Sequence, residues 1–495
     1  MELIGLDTIL GAISVVSQPS VLMWMCIGVA VGLIFGASPG LTATTGVAIA
    51  VPLTFGVNFE QSMALLLGLY CAGYFAGSLP AILINTPGAP GNAATALDGY
   101  RLARSGKADL AISLSATASV VGGIFSIIVL MFAAPQLSSF ALKFTSVEYC
   151  VLGLFGVSCV AAVSGGSMAK GIIGASFGML LATIGIDEVG GVTRFTMGMP
   201  ALLGGIPLIP ALIAMFALAE LFTQAANPRS DQALPGQQRY PLAGLPRFLG
   251  KHWALLGQSA MIGTFIGILP GAGPTIASWI AYGQARGRER AGESDEDAQA
   301  RGVMAAESAN NAVTGGALVP LLTLGIPGDT VTAVLIGALL IQGIDPGPMF
   351  IFEHEDLFAQ ILVILLFSSV LFLVITLLAR GLLPRIVTIP PRILLPIVAV
   401  LCATGGFAIN NATFEVGLIA VLGMIGYVLL RFGVSMAPVV LGLVLGPIIE
   451  VNMRNALIAN DMDFTVFFTR PISATLLAVL AVTLVVAGWR SFHKR

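Results

Sequence analysis

The residues best placed for chemistry in this chain are prolines, glycines and hydroxyl side chains set inside apolar runs. Two clusters read Ser38-Pro39-Gly40-Leu-Thr42-Ala-Thr44-Thr45 and Pro270-Gly271-Ala272-Gly273-Pro274-Thr275. Proline ends a helix and restricts the residue before it, while glycine turns without a side-chain clash. A Pro-Gly pair therefore frees backbone N–H and C=O groups that lipid cannot satisfy. Helices restarting at these threonines would aim N–H groups, partial positive charge and hydroxyls at the break, which suits an anion such as a carboxylate. The candidate substrate site is accordingly Ser38, Pro39, Gly40, Thr42, Thr44, Pro270, Gly271, Ala272, Gly273 and Thr275, with Asn310 and Asn311 as amide partners.

A second pair of breaks reads Asn85-Thr86-Pro87-Gly88-Ala-Pro90-Gly-Asn92 and Pro327-Gly328-Asp329-Thr330. Hard cations take oxygen ligands. Asn85, Thr86, Pro87, Gly88, Asn92, Pro327, Gly328, Asp329 and Thr330 offer amide, hydroxyl, carbonyl and carboxylate oxygens, so they form a candidate Na+ site. Asp329 suits Na+ or a proton, since an ionisable residue at membrane depth is a functional candidate by default. Its other reading is the cap of the helix that follows. Glu307-Ser-Ala-Asn310-Asn311-Ala-Val-Thr314 is a further polar entry, whose asparagines either line the site or bond between helices. Gly28, Gly32 and Gly36, like Gly263 and Gly267, are spaced for close helix packing.

Other chemistry finds little support. Cys26, Cys71, Cys150, Cys159 and Cys402 stand singly in apolar runs, with no CxxC, so neither a disulfide framework nor a zinc site is implied. Gly36-Ala-Ser38-Pro-Gly40 matches G-x-S-x-G, but a nucleophile elbow needs a strand before its serine and here an apolar helix precedes it. His252, His354 and His493 lie in polar stretches, away from that serine in sequence. No catalytic residue is assigned, and no cofactor is expected beyond Na+ or H+ as coupling ion.

Membrane helices must position these residues. Of 495 residues 57% are hydrophobic and 10% charged, against about 25% charged in soluble chains. Mean hydropathy is +0.95. The 23 Lys+Arg and 25 Asp+Glu cannot cover a water-facing surface of this size. A net charge of −2 leaves no basic footprint for nucleic acid. The expected fold is an all-α polytopic membrane protein of about 11–13 membrane segments, each needing roughly 20 apolar residues if it spans. Uninterrupted runs predict spans at Leu110–Ala134, Val147–Val163, Gly165–Ile184, Ala201–Phe222, Leu357–Ala379, Ile393–Ile409, Phe414–Leu430, Ala437–Ile449 and Ile472–Trp489. Ser20–Leu53, Ser62–Ala96, Ala254–Tyr282 and Ala309–Ile344 are apolar but interrupted, and do not read as simple spans.

The clusters repeat. Gly32, Gly36, Pro39, Gly40 and Thr44 recur as Gly263, Gly267, Pro270, Gly271 and Thr275, at an offset of 231 residues (271 − 40). Pro80, Pro87 and Gly88 recur as Pro320, Pro327 and Gly328, at an offset of 240 (328 − 88). The nine-residue difference fits in the charged loop after Tyr282. Lys and Arg favour the cytoplasmic side. Arg101, Arg104 and Lys107, then Arg229, Arg239, Arg247 and Lys251, then Arg286, Arg290 and Arg301, then Arg380, Arg385 and Arg392, and lastly Arg490, Lys494 and Arg495 mark that side. Glu2, Asp7, Asp345, Glu353, Glu355 and Asp356 then fall outside, and the N-terminus lacks the cationic start of a signal peptide. The expectation is two inverted repeats, residues 1–223 and 254–495, with a cytoplasmic linker at 224–253 and a charged loop at 284–306. Inverted repeats with broken helices are a recurring plan of secondary transporters.

On Gly36-Ala-Ser-Pro-Gly-Leu-Thr42, Asn85-Thr-Pro-Gly-Ala-Pro-Gly91, Gly267-Ile-Leu-Pro-Gly-Ala-Gly-Pro274, Glu307-Ser-Ala-Asn-Asn311 and Leu324-Gly-Ile-Pro-Gly-Asp329, the chain resembles the large membrane subunit of the tripartite tricarboxylate transporters, the TctA family. The resemblance implies a bacterial inner-membrane carrier of citrate-like carboxylates, driven by a cation gradient. It implies as partners a small membrane subunit (TctB-like) and a periplasmic substrate-binding protein (TctC-like). A carboxylate channel and an intramembrane serine hydrolase are the competing readings. No Lys or Arg occurs from Val21 to Leu97 or from Trp253 to Gln284, so the anion is expected to bind without a buried arginine.

Overall fold

The computed structural model describes residues 5–163, 167–226, 245–287 and 294–492. Arg229, Arg239, Arg290, His493, Lys494 and Arg495 lie outside them, as do the N-terminal residues through Ile4. The chain opens with α1 (Leu6–Val16), α2 (Pro19–Ala37), α3 (Ala43–Ala50), α4 (Phe59–Ala76), α5 (Ser78–Ile84), α6 (Ala93–Leu102), α7 (Ala108–Ala141), α8 (Ser146–Val163) and α9 (Met168–Ala182). A small antiparallel ribbon, β1 (Gly185–Ile186) and β2 (Thr193–Arg194), leads to α10 (Leu208–Leu212). A π-helical stretch, Ile213–Leu218, continues into α11 (Ala219–Ala226). Next come α12 (Leu245–Lys251), α13 (Trp253–Ile268), α14 (Gly273–Arg286), α15 (Asp295–Leu324), α16 (Thr330–Ile341), α17 (Phe350–Glu353) and α18 (Glu355–Ala379). The chain closes with α19 (Leu383–Val387), α20 (Pro391–Asn410), α21 (Thr413–Arg431), α22 (Met436–Ala459), α23 (Val466–Thr469) and α24 (Pro471–Phe492). Among the described residues, 8 helices are long and apolar enough to cross a membrane.

Among the described residues the uninterrupted apolar runs fold as helices with shifted ends; Gly165 lies outside those residues, and the Ala201–Phe222 run becomes α-helical only from Leu208. Leu110–Ala134 widens to α7 and Ala437–Ile449 to α22, because polar residues such as Asn452 and Arg454 continue a helix that nothing breaks. The four interrupted runs break at their Pro-Gly pairs. Leu41 N–H donates to Ser38 C=O at 3.0 Å with Gly40 at φ +92°, and Ala272 N–H donates to Leu269 C=O at 3.2 Å with Gly271 at φ +75°. Proline second and a positive-φ glycine third are the pattern of a type II turn. The other two breaks also match. Asn85 and Gly325 cap their helices in left-handed conformation, and Thr86 N–H and Ile326 N–H reach back to Pro80 and Pro320 carbonyls at 3.2 and 3.3 Å.

Beyond each type II turn the chain folds back. Gln258 on α13 bonds Gln284 near the end of α14, and Gly46 on α3 packs on Phe35 of α2. Glycines set the remaining contacts. A Cβ at Gly28, Gly32 or Gly36 would meet the carbonyl oxygens of Leu65, Leu69 or Gly73, so α2 runs parallel to α4 at backbone contact. Gly263 and Gly267 meet Ala309 and Val313 in the same way, joining α13 to α15. Gly122 and Gly315 seat α7 against α15.

These glycines should be intolerant of even a methyl group. Gly28→Ala and Gly263→Ala are expected to destabilise the purified protein by about 1–3 kcal/mol through overpacking. Gly257→Ala and Gly417→Ala, with nothing within 4 Å of the added carbon, should not. Thermal unfolding in detergent compares the four.

Candidate functional site

All four breaks reach one cavity of about 510 Å³. Four chain segments leading into helices face it: Thr42–Thr45 at α3, Ala89–Gly91 ahead of α6, Gly271–Ile276 at α14, and Asp329 with Thr330 at α16. The far wall is Val160 of α8, Met215 and Phe216, Glu220 of α11, Leu430 of α21, and Ser435, Met436, Ala437 and Leu441. Among the described residues, none that lines it is Lys, Arg or His. A larger cavity of about 780 Å³ lies between the ribbon and α22, and its Asp187, Arg194 and Glu450 are held in ion pairs. Arg194 bonds Glu450 and Arg454 bonds Asp187, both at 2.6 Å, and the Arg454 hydrogen bond holds Asp187 below the usual carboxylate range. The break residues belong to the smaller cavity, so the candidate site is there.

Hydroxyls tie the helix starts together. Thr42 caps α3, accepting from Thr45 N–H at 3.2 Å, and the Thr45 hydroxyl donates to Phe216 C=O at 3.0 Å. Thr44 and Thr330 share a hydrogen bond of 2.7 Å that joins α3 to α16. Asp329 caps α16 in a capping box: its Oδ1 accepts from Thr332 N–H at 2.8 Å, and its own N–H donates to Thr332 Oγ1 at 2.9 Å. Its Oδ2 accepts from the hydroxyls of Tyr70 at 2.6 Å and Tyr74 at 2.5 Å. The cap reading of Asp329 is thus realised while the residue still faces the cavity.

The expected site residues divide into two groups. Thr42, Thr44, Gly271, Ala272, Gly273, Thr275, Asp329 and Thr330 line the cavity. Ser38, Pro39, Gly40 and Pro270 do not; they build the turns behind it. Ser38 Oγ donates to Ile34 C=O at 2.7 Å, and Gly40 packs on Gln224. Gly328 C=O accepts from Gly271 N–H at 2.8 Å, so Pro327 and Gly328 support the α14 turn. Asn85 and Thr86 lie off the cavity because the left-handed cap carries them to the far end of α5. After Pro87 the chain returns, and Gly88 N–H donates to Gly77 C=O at 3.0 Å.

Asn92, Asn310 and Asn311 form a layer behind the cavity. Asn92 Nδ2 donates to Tyr74 C=O and Glu307 Oε1, each at 3.1 Å. Asn310 Nδ2 donates to Tyr74 C=O at 3.0 Å, and Asn311 Nδ2 to Cys71 C=O at 3.1 Å. The asparagines therefore bond α15 and the α6 start to α4. Sequence reasoning missed Tyr70 and Tyr74, whose signal was two phenols at helical i, i+4 spacing inside an apolar run. It also missed Glu220 on the far wall, and it noted Glu307 only as part of a polar entry.

Residues 22–441 match the profile of the Tripartite tricarboxylate transporter TctA family. The chain is 35% identical over 484 residues to an uncharacterized 52.8 kDa protein in the TAR-I ttuC' 3' region of Agrobacterium vitis, covering 98% of this chain and 95% of that protein. It is 39% identical over 225 residues to an uncharacterized protein in the TAR-II ttuC' 3' region of the same organism, covering 46% of this chain and 93% of that one. No solved structure matches. The chain belongs to the TctA family and is a multi-pass membrane protein of a tripartite transporter.

The two phenols should anchor Asp329. Tyr70→Phe and Tyr74→Phe are each expected to cost about 1.5–3 kcal/mol, the range for a hydrogen bond to a charged group. Tyr427→Phe, whose ring packs edge-on against Phe222, serves as the comparison. Equal unfolding midpoints for all three would contradict the anchoring role.

Proposed function

We propose that this chain is the large permease subunit of a binding-protein-dependent secondary transporter. In this reading it imports citrate-like tri- or dicarboxylates across a bacterial inner membrane, coupled to a Na+ or H+ gradient. The observation that carries the reading is the convergence of four chain segments leading into helices, two from each half, on one cavity with no Lys or Arg among the described residues that line it. A carboxylate there needs compensation, since an unpaired buried charge costs several kcal/mol. Helix N–H groups, the hydroxyls of Thr42, Thr44 and Thr275, and a co-bound cation supply it. Substrate and cation then strengthen each other's binding, because each offsets the other's charge in a low dielectric.

The position of the cavity supports alternating access. Of the motif-bearing helices, α2, α4–α6, α13 and α15 pack on α7 or α18, whereas α8, α11, α21 and α22 supply the far wall. Sliding one group along the other would carry the site between faces, with residues 1–223 and 254–495 as inverted halves. The N-terminus is then periplasmic and the C-terminus cytoplasmic. A periplasmic binding protein (TctC-like) delivers substrate, and a small membrane subunit (TctB-like) completes the assembly.

Reconstitution of the chain with both partners in proteoliposomes, screened with labelled carboxylates, tests the reading. Saturable, gradient-driven uptake is expected, with little uptake by the chain alone. Full-rate transport without the partners would defeat the tripartite mechanism, and flux that never saturates would favour a channel. Thr44→Val and Thr275→Val should each weaken substrate affinity about tenfold, roughly 1.4 kcal/mol. Cysteines placed at Thr44 or Thr275 and along α22 should cross-link in patterns that change with substrate. An invariant pattern would count against sliding.

A further inference from the structure

Behind the cavity wall sits a carboxylate that the substrate site does not use. Glu307, on α15, is fully buried at 0% exposure. Its Oε1 accepts from Asn92 Nδ2 at 3.1 Å and from the Thr95 hydroxyl. Its Oε2 accepts only long bonds, from Ser119 Oγ and Asn310 Nδ2, both at 3.4 Å. Every one of these donors is neutral. When ionised, a buried carboxylate held by neutral groups alone carries an uncompensated charge, which is strongly unfavourable in a protein interior.

The amides around it form an unusual pattern. Asn92 Nδ2 and Asn310 Nδ2 each bridge the same two acceptors, the Tyr74 carbonyl and the Glu307 carboxylate. A side-chain amide presents nitrogen and oxygen in nearly the same shape. Turning both amides by half a rotation replaces the two donors with oxygens. The cluster then offers the Glu307 carboxylate, the Tyr74 carbonyl, two amide oxygens and the Thr95 hydroxyl around one point. A second observation agrees: Asn92 Oδ1 is buried and has no hydrogen-bond partner in its present orientation. Access is short, because Gly91 lines the cavity and a Cβ there would stand 2.6 Å from Asn310 Oδ1.

We propose that a dehydrated monovalent cation, Na+, binds among Glu307, Asn92, Asn310, Thr95 and the Tyr74 carbonyl, one layer behind the substrate cavity. The single carboxylate matches a single positive charge; a divalent ion would leave an excess. A proton needs one acceptor and gives no role to the paired amides. Asp329, by contrast, already spends both carboxylate oxygens on Thr332, Tyr70 and Tyr74. Filling the cluster fixes the start of α6 to α15, and with it the Ala89–Gly91 edge of the cavity. Only the identification of this ion as the coupling ion rests on the proposed function.

The full-length purified chain is titrated with NaCl at constant ionic strength against choline chloride, reading thermal unfolding and radioactive Na+ binding. Saturable stabilisation by Na+ is expected. Glu307→Gln should lower Na+ affinity at least about tenfold, yet remain folded in choline because it removes an uncompensated charge. Asn310→Ala should also weaken binding, and Glu450→Gln in the other cavity should not. Thr95→Val keeps the carboxylate and the side-chain shape, and should weaken Na+ binding should Glu307→Gln fail to fold. Wild-type indifference to Na+, undiminished affinity in Glu307→Gln or in Thr95→Val, or a larger loss in Asp329→Asn overturns the assignment. Failed carboxylate uptake with Na+ binding intact at Glu307 would remove the transport reading and leave this one standing.

Discussion

A helix interrupted inside an apolar medium must give its freed N–H and C=O groups to something other than water. That constraint organises this molecule. Four interruptions occur, and three of them take partners from the other half, while the Pro270-Gly271 turn is held by Gly328 C=O of its own half. Asp329, at the start of α16, is held by Tyr70 and Tyr74 of α4, more than 250 positions away in sequence. The start of α6 is held by Glu307 of α15 through Asn92 and Thr95. Thr44 and Thr330 pair across the halves. Each half thus completes the other, and the cavity lies where those obligations cross.

The same constraint explains the glycines. Side-chain partners reach the breaks only if the long helices approach at backbone distance. Gly28, Gly32 and Gly36 bring α2 onto α4, and Gly122 brings α7 onto α15. Charges gather outside this apolar packing and bind in pairs. Lys107 meets Glu296, Arg380 meets Asp109 and Lys251 meets Asp297, whose Lys251 hydrogen bond keeps its carboxyl below the usual range. Two of these three pairs join the first half to the second, at the ends of α7, α15 and α18.

Much of this was legible in the sequence, and what was not has a physical reason. Proline and glycine act through local backbone geometry, so the positions of all four breaks, and the likeness of each pair, could be read from Pro39-Gly40, Pro270-Gly271, Pro87-Gly88 and Pro327-Gly328. The cavity-facing threonines followed, because the first turn of a helix is fixed by where it starts. Asn85 and Thr86 were not readable in that way. Whether a loop continues forward or doubles back depends on one left-handed residue, and nothing nearby in sequence shows that Gly88 returns to Gly77. Tyr70 and Tyr74 were hidden for a different reason: their meaning lies in Asp329, which only the folded chain brings to them. An aromatic pair in an apolar run otherwise looks like packing.

The correspondence between halves also has a gap. At the offset of 240 that relates Gly88 to Gly328, Ala89 stands opposite Asp329. Both residues line the cavity, yet one is a methyl group and the other an acid anchored by two phenols. The electric field across the cavity is therefore lopsided, although the backbone around it is nearly matched. For an anion of the kind proposed above, charged at one end, the two ways round are inequivalent: Asp329 disfavours its head at the α16 side relative to the Ala89 edge. A near-symmetric frame with an acid on only one side of its matched pair, and a second acid, Glu220, on the far wall, is thus polar in the way a compass is.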